Sequence, residues 1–314
     1  MDASIIIKVV LLLVGFVFLI KGSDFFVDGA SSIASLLKIP TIIVGLTIVA
    51  LGTSAPEAAV SITSSLTGSN AMAVSNVIGS NMFNLLMVIG LSALLGELLM
   101  EKDVLKKDLP FLVGITILFA AFIFIGWDIS SIEGIILLVI LIIYIFYLIR
   151  SAGKSESSKQ VEKPKLSLPK SIIFILVGIV GIVLGGDLVV NSASDIAIAF
   201  GMSETLVGLT IVAIGTSLPE LVTSLTALKK GENQLVIGNV IGSNIFNILF
   251  VLGASSAISA IPLDSGMLMD VIFMVFVTIL CFIFGKTQSK FDKKEGAILV
   301  ACFILYMAFA ILRN

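Results

Sequence analysis

Ten stretches of mostly apolar residues follow one another along the chain, separated by short polar interruptions. A helix that crosses a bilayer needs about 20 such residues. The pattern therefore predicts an all-α membrane protein with ten transmembrane helices. The predicted spans lie near residues 4–35, 41–67, 70–98, 109–126, 131–150, 171–200, 204–228, 233–260, 265–285 and 294–312.

The chain also contains an internal repeat. Residues 45–57 (GLTIVALGTSAPE) match residues 208–220 (GLTIVAIGTSLPE) at 11 of 13 positions, and residues 76–84 (NVIGSNMFN) match residues 239–247 (NVIGSNIFN) at 8 of 9. Both matches have the same offset along the chain. Each copy holds five predicted spans. Because five is odd, the second copy must enter the membrane from the opposite side, so we predict two inverted five-helix repeats.

Positive charges lie on one side of this arrangement. Of the 19 Lys and Arg residues, 16 fall in the connections after odd-numbered spans or, as Arg150 and Lys294 do, at the span ends that border them. By the positive-inside rule, these connections are cytoplasmic, and both termini lie outside the cell membrane. Residues 151–170 are rich in Lys, Ser and Glu, and we expect a flexible cytoplasmic linker there. It separates a first repeat, residues 1–150, from a second, residues 171–314.

The composition excludes several classes of protein. Apolar residues make up 58% of the chain, and the mean hydropathy is +1.19, which excludes a soluble enzyme and a disordered protein. A net charge of −2 without a basic domain excludes a nucleic-acid partner. The absence of His removes His-ligated zinc and His-based catalysis. Cys281 and Cys302 lie in apolar runs, where we expect small buried hydrophobes.

Two carboxylates lie alone in the middle of predicted spans. Glu57 is the only charged residue between Lys38 and Glu97, and Glu220 is the only one between Glu204 and Lys229. An ionisable group at this depth costs at least ~3 kcal/mol on insertion scales. A protonated, hydrogen-bonded carboxyl group would be one explanation. A cation site is the other, and the neighbouring residues favour it.

Those neighbours predict a broken helix. Pro56 and Pro219 lack an N–H, so the carbonyl groups of Gly52 and Gly215 lose their helical partners. Such backbone is tolerated at membrane depth only where it faces protein or a polar cavity. Pro, Gly, Thr and Ser are also common in ordinary membrane helices, but here the whole pattern occurs twice. In each copy, four residues share one helical face: Ala50, Thr53, Ser54 and Glu57, and Ala213, Thr216, Ser217 and Glu220.

The third and eighth spans add amide and hydroxyl groups at a spacing of four residues. We expect Ser80, Asn84, Ser243 and Asn247 to belong to the site. For Asn76, Asn81, Asn239 and Asn244, a ligand role and interhelical hydrogen bonding both stay open. For Asp24, Asp28, Asp187 and Asp195, we expect hydrogen bonding at helix ends or interfaces.

Every candidate ligand is an oxygen atom, which favours hard cations such as Ca²⁺ and Na⁺. Two ionised Glu side chains carry a charge of −2, which one Ca²⁺ or several Na⁺ ions would neutralise. Cations that need the same carboxylates exclude one another, and mutual exclusion at a shared site gives exchange rather than co-transport. The expected partners are these two ions and the lipid bilayer, with no cofactor and no obligate protein partner.

The segments GTSAPE and GTSLPE, with the paired NVIGSN-x-FN segments, resemble the two signature repeats of the calcium/cation antiporter superfamily, in its sodium/calcium exchanger branch. The resemblance implies ten helices, with spans two, three, seven and eight at the centre. It also implies that Glu57 and Glu220 are the main Ca²⁺ ligands, with backbone oxygens of Thr53 and Thr216. Sodium would use these groups and Ala50, Ser54, Ser80, Ala213, Ser217 and Ser243. Asn84 and Asn247 would lie beside the central site.

The resemblance also bears on the coupling ion. The proton-coupled branch typically has GNxxE where this chain has GTSxPE, and the potassium-dependent branch tends to have Asp at the position of Asn247. Some sodium-coupled relatives also have an acid there, so the site of this chain is expected to be less negative. A H⁺/Ca²⁺ exchanger and a cation channel are the alternatives. An intramembrane enzyme lacks support, since the sequence has no HExxH motif and no Ser–His pair. ATP-driven pumping lacks support, since it has no P-loop.

Overall fold

The computed structural model describes residues 3–68, 70–152, 164–202, 210–211, 213–262 and 265–313. Long helices account for most of this part of the chain, and eight of them are long and apolar enough to span a membrane. We number the helices α1 (Ala3–Leu37), α2 (Thr41–Thr53), α3 (Ala55–Leu66), α4 (Ala71–Leu95), α5 (Val104–Gly126), α6 (Ser131–Ala152), α7 (Leu168–Ala199), α8 (Ala213–Gly215), α9 (Leu218–Lys229), α10 (Asn233–Ile258), α11 (Ser265–Gln288) and α12 (Lys293–Arg313).

The second predicted span is broken, as the Pro and Gly residues indicated. Helices α2 and α3 meet at an angle of 50°, and counting them as one span gives nine candidate spans among the described residues. Pro56 lies in the first turn of α3, and Pro219 lies in the first turn of α9. The seventh predicted span, 204–228, includes α8 and α9. Its residues 204–209 and 212 lie outside the described part of the chain.

Several predicted boundaries were wrong. Helix α5 begins at Val104 rather than at residue 109, because residues 104–108 form a π-helical turn that continues into it. Helix α4 ends at Leu95 rather than at residue 98, since Leu98 and Leu99 form a strand. Helix α7 begins at Leu168, so the end of the predicted linker is helical. Residues 153–163 of that linker lie outside the described residues.

Four two-residue strands, which the sequence analysis did not predict, join the helix ends. They are β1 (Leu98–Leu99), β2 (Asp128–Ile129), β3 (Ile261–Pro262) and β4 (Lys290–Phe291). Strand β1 pairs antiparallel with β4, and β2 pairs antiparallel with β3. Each pair joins one copy of the repeat to the other.

The helices divide into a buried centre and a lipid-facing periphery. In the most apolar 18-residue window of α10, 94% of the residues are buried, and the figure for α4 is 78%, against 17% for α1. Helix α1 packs on α7 along glycine residues of both. A Cβ added at Gly22 would lie 2.7 Å from the backbone nitrogen of Ile182, so only glycine permits this approach. Helices α1 and α7 therefore form a closely packed peripheral pair beside the central helices.

The similarity between the two copies continues beyond the matching motifs. Tyr144 donates to Asp108 at 3.1 Å, and Tyr306 donates to Asp270 at 2.9 Å. The offset between these two pairs is one position shorter than the offset between the motifs, so the second copy lacks one position between Pro262 and Asp270. The polar pairs hold α5 against α6 and α11 against α12.

Candidate functional site

Each of the two buried glutamates reaches the helix break of the other copy. Ser54 donates to Glu220 Oε1 at 2.9 Å, and Ser217 donates to Glu57 Oε1 at 3.1 Å. Both glutamates are 0% exposed. Ser54 and Ser217 lie directly before the first turns of α3 and α9, so the two breaks face each other. The structure thus brings together the two carboxylates that the sequence analysis singled out.

Each carboxylate has one satisfied and one unsatisfied oxygen. A second hydroxyl approaches each satisfied oxygen at 3.4 Å, from Ser80 to Glu57 Oε1 and from Ser243 to Glu220 Oε1. Glu57 Oε2 and Glu220 Oε2 are buried and have no hydrogen-bond partner among the described residues. In that part of the chain, no third acidic side chain joins them in a metal-binding group. Two buried, unpartnered carboxylate oxygens fit a cation ligand better than a closed hydrogen-bond network.

The helix break supplies two kinds of electrostatic stabilisation. Glu57 and Glu220 lie in the first turns of α3 and α9, where the positive end of the helix dipole stabilises a carboxylate by about 0.3–1 kcal/mol. Helix α2 ends at the same break and exposes its last carbonyl groups. The Gly52 carbonyl cannot receive a helical N–H, because Pro56 has none. Carbonyl oxygens at the end of a half-helix are suitable ligands for a cation.

The threonines at the breaks use their hydroxyl groups within the protein. Thr53 is fully buried, and its hydroxyl lies 3.0 Å from Asn239 Oδ1 and 3.3 Å from the Ala50 carbonyl oxygen. Thr216 donates to Asn76 Oδ1 at 3.4 Å. These hydrogen bonds hold the two threonines in place beside the breaks, where their main-chain oxygens lie at the ends of the half-helices. The backbone of Ala213 begins α8, and its side chain lies outside the described set.

Asn84 and Asn247 are both fully buried and open π-helical segments at equivalent places, Asn84–Val88 and Asn247–Leu252. Such wide turns often occur at functional sites. Asn247 donates to Asn81 Oδ1 at 3.1 Å. Its own Oδ1 and both polar side-chain atoms of Asn84 have no partner among the described residues. The sequence analysis expected these amides at the site, but no sequence signal indicated the π-helical turns.

Comparison with known proteins identifies the family. The family model described as "Sodium/calcium exchanger protein" matches residues 7–150 and 170–312. The chain belongs to this sodium/calcium exchanger family. The resemblance found in the motifs is confirmed, and the family is one of transporters rather than of enzymes.

Individual exchangers and their relatives align over nearly the whole chain. CaxA of Alkalimonas amylolytica is 38% identical, over 96% of this chain and 98% of its own. The sodium/calcium exchanger MaX1 of Methanosarcina acetivorans is 31% identical, over 96% and 98%. A structure of the sodium-calcium exchanger NCX_Mj, soaked with Na⁺ and Sr²⁺, is similar with a TM-score of 0.86 at 33% identity, covering 97% of this chain and 99% of that one.

Three of the four other acidic candidates, all but Asp187, lie in ion pairs within the described part of the chain. Asp24 and Asp28 pair with Lys230, and Asp195 pairs with Lys8. Among the asparagines, Asn81 donates to the Asn244 carbonyl at 3.4 Å. Asn76 and Asn239 each form hydrogen bonds to both copies of the repeat.

The two copies of the repeat differ in how deeply the beginnings of α10 and α4 are buried. A Cβ added at Gly242 would lie 2.8 Å from the Leu46 carbonyl oxygen, so α10 packs tightly on α2. Asn239 is 1% exposed, whereas the equivalent Asn76 is half-buried. Leu235 is 1% exposed, whereas the equivalent Met72 is 58% exposed. We therefore call the side at the beginning of α10 the closed side.

Proposed function

We propose that the protein is an antiporter that exchanges Na⁺ for Ca²⁺, and that the two cations compete for a midplane site built on Glu57 and Glu220. The observation that carries the proposal is the reciprocal pair of bonds from Ser54 and Ser217, which brings both carboxylates into one buried place. Family membership supports Na⁺ and Ca²⁺ as the exchanged ions, and MaX1 and NCX_Mj are named as exchangers of sodium and calcium.

The charge of the site supports competition between the ions. Two ionised carboxylates carry −2, which one Ca²⁺ neutralises. With one Ca²⁺ bound, a further cation would leave an uncompensated positive charge at bilayer depth, which costs at least ~3 kcal/mol. Sodium ions would use the same carboxylates with the hydroxyls of Ser54, Ser80, Ser217 and Ser243, the carbonyls of Ala50, Thr53, Ala213 and Thr216, and the amides of Asn84 and Asn247.

We also propose ten helices in two inverted repeats, and the strand pairs support this topology. Strands β1 and β2 lie at opposite ends of α5, whose 23 residues extend about 35 Å. Strand β3 pairs with β2 and so lies at the far end from β1. Because β1 and β3 follow the equivalent helices α4 and α10, the two copies run through the membrane in opposite directions.

An inverted pair of repeats has two equivalent conformations. The copy that is closely packed at the site in one conformation is the exposed copy in the other. The tight packing at Gly242, and the difference in exposure between Leu235 (1%) and Met72 (58%), are what one such conformation requires. By the positive-inside rule, α4 begins outside the cell membrane and α10 begins inside it, with both termini outside and residues 151–170 cytoplasmic. The conformation described here is then outward-facing, and exchange of the two packings would give alternating access.

Reconstitution into sealed vesicles tests the proposal. We expect Ca²⁺ uptake that depends on an outward Na⁺ gradient, and we expect Glu57→Gln and Glu220→Gln to nearly abolish it. Uptake that follows a pH gradient and ignores Na⁺ would select a H⁺/Ca²⁺ exchanger. Flux that needs no counter-ion would select a channel. The matched control is Glu97→Gln, which changes an exposed carboxylate paired with Lys290 and should leave exchange intact.

A further inference from the structure

Two asparagines connect the broken helix of one copy to that of the other. Asn239 donates to the Glu220 carbonyl at 3.3 Å and to Ser224 Oγ at 2.9 Å, within its own copy. Its Oδ1 accepts from Thr53 Oγ1 of the other copy at 3.0 Å. One amide thus contacts the helix turn that carries one buried glutamate and the threonine beside the other.

The same three contacts occur at the equivalent position. Asn76 donates to the Glu57 carbonyl at 3.3 Å and to Ser61 Oγ at 2.9 Å, and it accepts from Thr216 at 3.4 Å. An Asn side chain has two donor hydrogens and one acceptor oxygen, and this arrangement uses all of them. A contact set repeated in both copies is unlike incidental interhelical bonding.

We infer that Asn76 and Asn239 are positioning residues that fix the distance between the two broken helices through the Thr hydroxyls. Asn239 acts on the ion through Thr53, whose hydroxyl it holds and whose main-chain oxygen is a proposed ligand. The inference rests on the proposed function. The bridge on the closed side, Asn239 to Thr53, is the shorter and more buried of the two, so its loss should have the larger effect.

A variant pair at Thr53 separates positioning from folding. Thr53→Val removes the hydroxyl but keeps the main-chain oxygen and nearly the same volume, and Thr53→Ser keeps the hydroxyl. We expect Thr53→Val to raise the Kd for Ca²⁺ about fivefold to tenfold, as the loss of the buried bond to Asn239 implies. Asn239→Ala removes two further hydrogen bonds and should raise the Kd at least as much. In the double variant the combined effect should be smaller than the sum of the two single effects, because both variants remove the Thr53–Asn239 bond. Thr53→Ser should restore most of the affinity that Thr53→Val loses.

The Kd for Ca²⁺ is measured in detergent by isothermal titration calorimetry. The melting temperature is measured with and without Ca²⁺. The control is Thr278→Val, which removes a buried hydroxyl that bonds to its own helix at Met274. Additive effects of Thr53→Val and Asn239→Ala, or a lower melting temperature with an unchanged Kd, would overturn the inference alone. A wild-type protein that does not bind Ca²⁺ would overturn the proposed function as well.

A second, independent observation concerns the peripheral pair. Lys230, at the end of α9, lies 3.0 Å from Asp28 Oδ1 and 3.5 Å from Asp24 Oδ1 of α1, and it donates to the Asp24 carbonyl at 2.8 Å. Nearby, Ser23 and Thr223 share a buried hydrogen bond of 3.1 Å. These contacts attach α1 to the second copy on the closed side of the site.

The first copy has no equivalent of this Lys230 cluster. At the offset of the repeat, Lys230 corresponds to Thr67, Asp28 to Asn191 and Asp24 to Asp187, so one acid is kept but the cation is not. Thr67 donates to carbonyl groups of its own helix, at Thr63 and Ser64, instead of to α7. When the two copies exchange roles, the ion pair is broken and no ion pair replaces it. We infer that the Lys230 cluster stabilises the conformation described here over its exchanged alternative, which again presumes the proposed alternating access.

Cysteine labelling tests this inference without requiring transport. Leu235 is 1% exposed, whereas its counterpart Met72 is 58% exposed, so Leu235 should become accessible in the exchanged conformation. In a Leu235→Cys protein in detergent, with Cys302 replaced by Ala, we expect Lys230→Thr to raise the rate of maleimide labelling about twofold to fivefold, as for a partly exposed ion pair. An unchanged rate, or an equal rise in the neighbouring Lys229→Thr control, would overturn it.

Discussion

Replacing Glu220 with Gln removes one of the two buried charges but keeps an oxygen that can accept from Ser54 and Ser243. The fold should therefore survive. The charge of the site changes from −2 to −1, so that bound Ca²⁺ leaves a net charge of +1 at bilayer depth. Such a charge costs at least ~3 kcal/mol. At 1.4 kcal/mol for each factor of ten, the Kd for Ca²⁺ should rise about 100-fold or more.

Sodium provides the internal comparison. A single Na⁺ neutralises a site of charge −1, so one Na⁺ should still bind to the Glu220→Gln protein, and selectivity should move from the divalent to the monovalent ion. The measurement is the ion-induced rise in melting temperature in detergent, with Ca²⁺ and Na⁺ titrated separately. A Kd for Ca²⁺ within about threefold of the wild-type value would refute the reasoning, as would equal losses for both ions.

Three further expectations follow from the packing and charges. Gly79→Ala should fold normally but exchange ions poorly, because the added methyl group meets no described residue here but would meet the other copy if the two copies exchanged their packing. Gly242→Ala should lower the melting temperature instead, because its methyl group would lie 2.8 Å from the Leu46 carbonyl oxygen. Ser54→Ala removes a hydrogen bond to the charged Glu220, and we expect vesicle uptake to show a KM for Ca²⁺ raised about tenfold or more. Burial, and then the nearby Asp103 carboxylate, raise the pKa of Glu101, so folding disfavours its charged form and stability falls as pH rises. Glu101→Gln should thus raise the melting temperature near pH 7 and change it little below about pH 4.

The internal repeat made much of the site predictable. Its constant offset paired Glu57 with Glu220 and located both helix breaks before any coordinates, because proline disrupts a helix by a local rule. The same offset predicted that Asn84 and Asn247 would be equivalent. Charges in the connections indicated which helix ends share a side.

Contacts between the copies were beyond the sequence analysis. Ser54 is three residues from Glu57, yet its hydroxyl bonds to Glu220, which is 166 positions away. Two-residue strands are too short to leave a periodic pattern, and their pairing depends on which helix ends meet. The π-helical turn at Asn84 likewise had no signal in the sequence pattern.

The sequence by itself determined that two equivalent halves each bring one acidic group and one broken helix into the membrane. Tertiary structure decided how the halves meet and which of the two equivalent helix beginnings is buried. Two nearly identical segments encode nearly identical local structure, so they cannot specify a difference between the two sides. That difference arises only when the surrounding helices pack, which leaves Leu235 1% exposed and the equivalent Met72 58% exposed.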